Sequence, residues 1–322
     1  MKSILPWFAL ACTAAAIIAP TPARAHGFEG DRFFPPTIQT DDPFATDEFS
    51  VTYQSFNDPA SPGDGTPKTR EMDVSSEFDK EIFPKFALGV SGTYINLDPM
   101  DHTAPAQDGF DNVTLSTKYQ LWEDAPHEWI FSIGGEVDLG DTGSKGLGVN
   151  SFSTWTPTLY FGKGFGDLPS QLKYLKPFAL TGTLGVAIPG EASNPDGSFN
   201  SDALQWGLAL EYSLPYLQQH VEDIGLPKPF SDMIPLVEVS STTPFDRSGE
   251  TTTGTINPGI LWEQSDFQVG AEAVVPINAH TGPNIGAVVQ VQIYIDDIFP
   301  KIFGHPIFGH DEGNETGPGN TP

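Results

Sequence analysis

The sequence has little cysteine, few basic residues and only one long apolar run. Its single cysteine, Cys12, excludes a disulfide-stapled scaffold and any zinc site built from cysteines. The 322 residues carry 15 Lys and Arg against 42 Asp and Glu, a net charge of −27. Such an acidic chain repels phosphates, which argues against a nucleic-acid partner. At 38% apolar and 11% aromatic residues, it can still build a folded core.

The long apolar run lies within residues 1–25. Lys2 precedes an apolar stretch from Ile4 to Ile18, and Ala23-Arg24-Ala25 has the small–x–small form of a cleavage site. These features predict a secretory signal peptide over residues 1–25. Its removal would leave 13 basic residues against 42 acidic ones and no cysteine. Such a cysteine-free, exported chain suits the periplasm or outer membrane of a Gram-negative bacterium. No later stretch reaches the roughly 20 apolar residues of a membrane helix, which excludes an α-helical membrane protein.

Beyond residue 47 the dominant pattern is alternation of apolar and polar residues, which is typical of β-strands with one buried face. Residues 289–295 show it clearly, with Val or Ile at every second position and Gln290 and Gln292 between the first three. Twelve segments share the pattern, and we expect strands over 49–56, 72–78, 86–94, 113–121, 129–139, 152–162, 178–188, 204–212, 235–242, 255–262, 267–276 and 289–295.

The connections between these segments alternate in character. Those after odd-numbered strands are long and rich in Gly, Pro and Asp, whereas several after even-numbered strands are short. An even number of short strands with alternating loop lengths indicates a transmembrane antiparallel β-barrel of about 12 strands, an all-β fold with periplasmic termini. The predicted divisions are the barrel at 48–300 and a periplasmic tail at 301–322. A soluble β-sandwich or propeller is the alternative.

Tryptophan positions agree with a barrel. If the N-terminus is periplasmic, Trp122, Trp129 and Trp262 fall at the periplasmic ends of their strands. Trp155 and Trp206 then fall near the outer rim, so that two belts form, as in the aromatic girdles of membrane barrels. The predicted girdle consists of Trp122, Trp129, Trp155, Trp206 and Trp262.

Several stretches are typical of one protein family. They are HGF at 26–28, DRFFP at 31–35, TDDPF at 40–44, LVEVS at 236–240, INPG at 256–259, FQVGAE at 267–272, PIN at 276–278 and DDIFP at 296–300. Together they resemble the outer-membrane transporter barrels grouped with proteins of the meta-cleavage phenol degradation pathway. The resemblance implies a channel for small or hydrophobic compounds. It supplies no catalytic residues.

The face of the strands opposite the apolar one is polar and mainly acidic. The predicted lumen-lining residues are Asp73, Glu77, Lys118, Glu136, Asp138, Glu211, Glu238, Glu272, Gln290 and Gln292. In an open lumen these carboxylates would favour cations. Barrels of eight strands are filled by side chains and those of 16 are open, so twelve strands leave both states possible.

Residues 26–47 precede the first strand and carry four phenylalanines with no alternation. We expect this segment to form a plug in the lumen or to line the periplasmic mouth, with a flexible tail as the alternative. A copper site built from His26 with His305 or His310 is a weaker reading, because the spacing matches no standard metal motif. We therefore expect no metal and no cofactor.

The sequence thus predicts an outer-membrane protein for passive passage of small, hydrophobic or cationic solutes. A non-conducting structural or partner-binding barrel is the alternative, followed by a barrel-embedded lipid hydrolase. No G-x-S-x-G, P-loop or dinucleotide motif occurs, so an enzyme is not expected. The expected partners are outer-membrane lipid and lipopolysaccharide, the barrel assembly machinery and a small-molecule solute.

Overall fold

A computed structural model describes residues 27–60, 67–102, 104–194, 197–246 and 251–309. The predicted signal peptide, His26, His310 and the rest of the predicted tail after residue 309 lie outside the described residues. Among the described residues, no helix is long and apolar enough to cross a membrane.

Twelve long strands, β1 to β12, make up the fold. They are Glu48–Asp58, Thr69–Phe83, Phe86–Pro99, Val113–Asp124, Trp129–Leu139, Thr154–Gly164, Phe178–Pro189, Ala203–Tyr212, Met233–Pro244, Thr253–Glu263, Phe267–Pro276 and Gly286–Tyr294. Each pairs antiparallel with the next one along the chain. β12 also pairs with β1, with Val291 opposite Val51, which closes the sheet. The prediction of a 12-stranded antiparallel barrel is confirmed.

Short elements occupy the connections. A hairpin of Phe28–Glu29 and Arg32–Phe33 precedes β1, and the strand Gln107–Phe110 pairs with the end of β3. Single helical turns are Ala125–His127, Lys145–Leu147, Ser170–Leu175, Leu214–Tyr216, Leu217–Val221, Phe230–Asp232 and Ile295–Ile298.

The barrel has two ends that differ in their connections. We call the end where β1 begins and β12 ends the proximal end, and the opposite one the distal end. Connections at the proximal end include residues 84–85, 125–128 and 264–266, whereas those at the distal end include residues 100–112, 140–153 and 277–285. The three shortest connections therefore lie at the proximal end, which also holds two longer ones, residues 165–177 and 213–232.

The alternation of the sequence appears as an apolar outer wall and a polar interior. On β12, Val289 and Val291 are 43% and 39% exposed, whereas Gln290 and Gln292 are 8% and 3% exposed. Exposed Leu, Val, Ile and aromatic residues recur at every second position of the other strands. A soluble protein buries such residues, so this arrangement belongs in lipid, where a closed barrel satisfies its backbone hydrogen bonds internally.

Candidate functional site

Residues 27–47 enter the ring of strands from the proximal end, with their hairpin at the mouth and residues 34–47 inside, and we call them the lumen segment. Their backbone is bonded by side chains from strands on different sides of the barrel. Gln120 of β4 accepts a hydrogen bond from the Ala45 N–H (2.8 Å), and Gln268 of β11 donates one to the Pro36 carbonyl (2.7 Å). Strands this far apart in the ring reach one short segment only if it lies between them.

The path of the lumen segment is a U. It starts at the proximal end, where Phe34 packs with Ile130 and Ala179 near the first residues of β5 and β7. At mid-height the Gln39 and Thr40 N–H groups donate to the carboxylate of Glu238, at 2.7 and 3.2 Å. The segment then returns to the proximal end and enters β1.

A buried arginine anchors the first arm of the U. Arg32 is 0% exposed, and its Nε lies 3.3 Å from the Glu128 carboxylate in the turn before β5. Its other nitrogens donate to the carbonyls of Pro177 (3.1 Å) and Lys176. The guanidinium also stacks on Tyr216, 3.7 Å from the ring centroid. Five donors on a planar group suit arginine to such a site.

Glu128, the carboxylate of this cluster, has a strained backbone conformation. It has a φ of 51°, a left-handed conformation that non-glycine residues seldom adopt. Its carboxylate accepts hydrogen bonds from the Tyr216 hydroxyl (3.1 Å) and the Gly166 N–H (2.9 Å). Burial, reinforced by the Glu128 charge, raises the pKa of Tyr216 to about 12. The tyrosine therefore stays protonated and able to donate at neutral pH.

The second arm is anchored by Asp47. Its carboxylate accepts a hydrogen bond from the Glu81 N–H (2.6 Å) and pairs with Lys80. Burial raises the pKa of Asp47, and the lysine partly offsets that effect. Both arms are thus tied to the proximal end of the barrel wall.

Glycines on the inner wall make room for the segment. A Cβ added at Gly207 of β8 would lie 2.8 Å from Thr40 Oγ1, and one at Gly270 of β11 would lie 2.8 Å from Ile38 Cδ1. At Gly162 of β6 it would lie 3.1 Å from Phe34. Side chains at these positions would collide with the segment, which therefore fits closely against three strands.

Charge in the lumen is concentrated around the tip of the U. Lys118 of β4 lies 2.8 Å from Asp41, and a cavity of about 150 Å³ beside them is bordered by Glu48, Glu77 and Glu136. A second cavity of about 270 Å³ opens on the hydroxyl-rich walls of β6 to β10. Gln39 and Asp41 border both cavities, so the tip of the lumen segment stands between the two spaces.

The lumen is filled unevenly along its length. Glu211, Glu238 and Glu272 are 1%, 0% and 4% exposed. By contrast, Glu77 and Glu136 are exposed. The positions of β8, β9 and β11 beside the U are therefore packed, whereas Glu77 and Glu136, which border the two cavities at its tip, are open to solvent.

Comparisons with known proteins bear on the fold of the chain. No protein-family model matches the sequence, and no curated protein matches it. Among solved structures, an outer membrane channel from Pseudomonas putida F1 superimposes with a TM-score of 0.53 at 11% identity, covering 81% of this chain and 99% of that one. The KdgM porin and the NanC porin give TM-scores of 0.42 and 0.45 at 10% and 6% identity, each covering 76% of this chain and 98% of the other.

The chain has the fold of an outer-membrane β-barrel. The P. putida structure has a similar arrangement of strands. The apolar outer wall is the surface that a barrel presents to lipid. They place the protein in a bacterial outer membrane.

The residues singled out from the sequence fall on nine strands. Asp73 and Glu77 lie on β2, Lys118 on β4, Glu136 and Asp138 on β5, Glu211 on β8, Glu238 on β9, Glu272 on β11, and Gln290 and Gln292 on β12. Trp122, Trp129 and Trp262 lie at the proximal ends of β4, β5 and β10, whereas Trp155 lies at the distal end of β6 and Trp206 in the distal half of β8. Trp122 and Trp155 are 47% and 60% exposed.

The Arg32 anchor could not be found from sequence. Its partners Glu128, Lys176 and Tyr216 come from three separate proximal connections, so no spacing brings them together. The one available signal was an arginine among phenylalanines in a chain with few cations. Of the three histidines considered for a metal, only His305 is described, and its Nδ1 lies 3.2 Å from the Pro306 carbonyl. Among the described residues, no group of three or more His, Cys, Asp or Glu is arranged to hold a metal ion.

Proposed function

We propose that this protein is an outer-membrane channel for passive passage of small solutes, occluded by its own lumen segment. The observation that carries the proposal is the U of residues 27–47, bonded to strands on different sides of the barrel. The larger cavity at its tip is lined by Glu136 and by hydroxyl groups of β6, β7, β9 and β10, and Glu77 borders the smaller one. Carboxylates in a confined, hydrated space concentrate cations, so the preferred solutes are small and neutral or cationic.

The proposal includes an orientation. Short turns face the periplasm in outer-membrane barrels, so the proximal end, the lumen segment and residues 295–309 lie on the periplasmic side. The lipid and lipopolysaccharide of that membrane would surround the outer wall between the two tryptophan groups. The barrel assembly machinery would insert the chain. The resemblance to barrels grouped with phenol degradation adds hydrophobic compounds to the solutes to be tested.

The test is planar-bilayer conductance of the refolded chain without residues 1–25. We expect small or rare openings from the full mature chain and steady, cation-selective current after deletion of residues 26–47. A milder variant, Arg32→Ala with Glu238→Ala, removes two anchors and leaves the segment in place. We expect this variant to open intermittently.

Two controls make the result interpretable. Lys145→Ala alters an exposed ion pair with Asp141 in a distal connection and should conduct like the parent. Heat-modifiable migration on gels must show that every variant is a folded barrel. Folded barrels that carry no current in any of the variants would overturn the channel and favour a non-conducting, partner-binding barrel.

A further inference from the structure

A third cavity lies at the proximal mouth, outside the lumen. It has a volume of about 410 Å³, within the range of small-molecule sites. The hairpin of the lumen segment forms one wall, the connection between β8 and β9 forms another, and the ends of β10 and β12 form the third. Neither the barrel fold nor passage through the lumen requires a cavity here.

Aromatic rings form much of its lining. Phe28 and Phe33 pack with ring centroids 5.2 Å apart. Tyr216 is fixed by Arg32 at 3.7 Å from its centroid and by His220, whose ring centroid is 4.7 Å away. Tyr294 is 2% exposed and donates its hydroxyl to Glu263 (3.0 Å). Because other contacts hold these rings, the cavity is formed before any ligand arrives.

The charge around the cavity is negative. Carboxylates of Asp31, Asp232, Glu263 and Asp297 border it, against Lys228 and His220. The Lys228 side chain is 77% exposed with its Nζ 3.1 Å from Asp232, and His220 Nδ1 lies 3.8 Å from Asp31. Burial acts to raise the pKa of Asp232, but hydrogen bonds from Lys228 and Gln264 outweigh it and leave that pKa below its usual value. Glu263 is engaged by the Tyr294 hydroxyl, and the three aspartates alone outnumber Lys228 at the cavity.

We propose that the proximal cavity binds a small aromatic amine. The ring of the ligand would lie among Phe28, Phe33 and Tyr216, and its ammonium group would face Asp31 and Asp232. Aromatic faces attract cations through their quadrupole, so rings and carboxylates favour the same ligand charge. An aromatic carboxylate of the same size fits the walls equally well but meets the wrong charge. The cavity thus selects by charge among ligands of one shape.

The test is isothermal titration of the refolded, full mature chain in detergent with tryptamine and, separately, with indole-3-propionate. We expect saturable binding of one tryptamine per chain and at least tenfold weaker binding of indole-3-propionate. Asp31→Asn and Asp232→Asn should each weaken tryptamine binding about fivefold or more. Ser265→Trp, which fills the cavity from an exposed lining position without changing charge, should abolish binding.

Asp141→Asn removes a carboxylate from a distal connection and serves as the matched control, with unchanged affinity expected. Equal binding of the two ligands, or equal loss in Asp141→Asn and Asp232→Asn, would overturn the proposal, because either result means partition into detergent or a diffuse charge effect. The assay needs no current through the barrel. Failure of the binding proposal is therefore distinguishable from failure of the proposed channel. Tryptamine binding would support the cavity even if the barrel does not conduct.

Discussion

At the scale of single residues, Arg32 holds the first arm of the lumen segment in place. It joins three proximal connections to the lumen segment through an ion pair, two carbonyls and a ring. Removing one partner of a buried ion pair leaves the other charge without compensation. Glu128, only 4% exposed, would be that charge.

We predict that Arg32→Ala frees the first arm of the U while the barrel stays folded. A loss of about 3 kcal/mol, typical of breaking a buried ion pair, raises the undocked population roughly a hundredfold. Chymotrypsin cleavage after Phe33 and Phe44 measures this population. Arg32→Lys should give an intermediate rate, because an ammonium lacks the planar fork. A rate equal to that of the Lys145→Ala control would show that the anchor is dispensable.

At the scale of elements, the close fit between the lumen segment and the barrel wall depends on residues with no side chain. Gly207 faces Thr40, whose own N–H is held by Glu238, so the tip of the U cannot shift easily. Gly92 on β3 faces open space, with nothing within 4 Å of an added Cβ. The two positions form a matched pair for testing the fit.

We predict that Gly207→Leu displaces the tip of the U and that Gly92→Leu does not. In a background carrying Thr40→Cys, which introduces a thiol into a mature chain without cysteine, maleimide labelling reports displacement. Thr40 is 0% exposed, so labelling should be slow in the parent and at least tenfold faster with Gly207→Leu. Similar rates in the two leucine variants would mean that the tip is not confined by the wall.

At the scale of the whole molecule, closure depends on the seam between β1 and β12. Val291 pairs with Val51 at the centre of that seam, and both side chains face outward. A proline there removes a ladder hydrogen bond from a central strand. Ile285, just before β12, is 66% exposed and lies outside the ladder.

We predict that Val291→Pro prevents closure and that Ile285→Pro does not. The readout is the faster gel migration of the unheated, folded barrel relative to the heated chain. Val291→Pro should migrate alike with and without heating, whereas Ile285→Pro should behave like the parent. Retained heat-modifiability in Val291→Pro would show that the seam tolerates a missing hydrogen bond.

The strands could be predicted from sequence because their cause is local. Lipid outside and polar groups inside impose a period of two, and residues 289–295 carry it without help from the rest of the chain. Predicted and observed strands therefore differ mainly at their ends, as in β2, which begins at Thr69 rather than residue 72. The segment before β1 has no such period. Its course depends on Glu238, Gln268 and Gln120, which lie far away in sequence, so only its aromatic content suggested order.

The U-shaped course of residues 27–47 also bears on the order of assembly. Because residue 27 and the end joined to β1 both lie at the proximal end, residues 27–47 can enter and leave the ring from one side. The barrel wall can close first, and the lumen segment can enter it afterwards. Docking and withdrawal then leave every strand pair intact. Opening and closing of the lumen by this segment therefore require no change in the paired strands of the barrel.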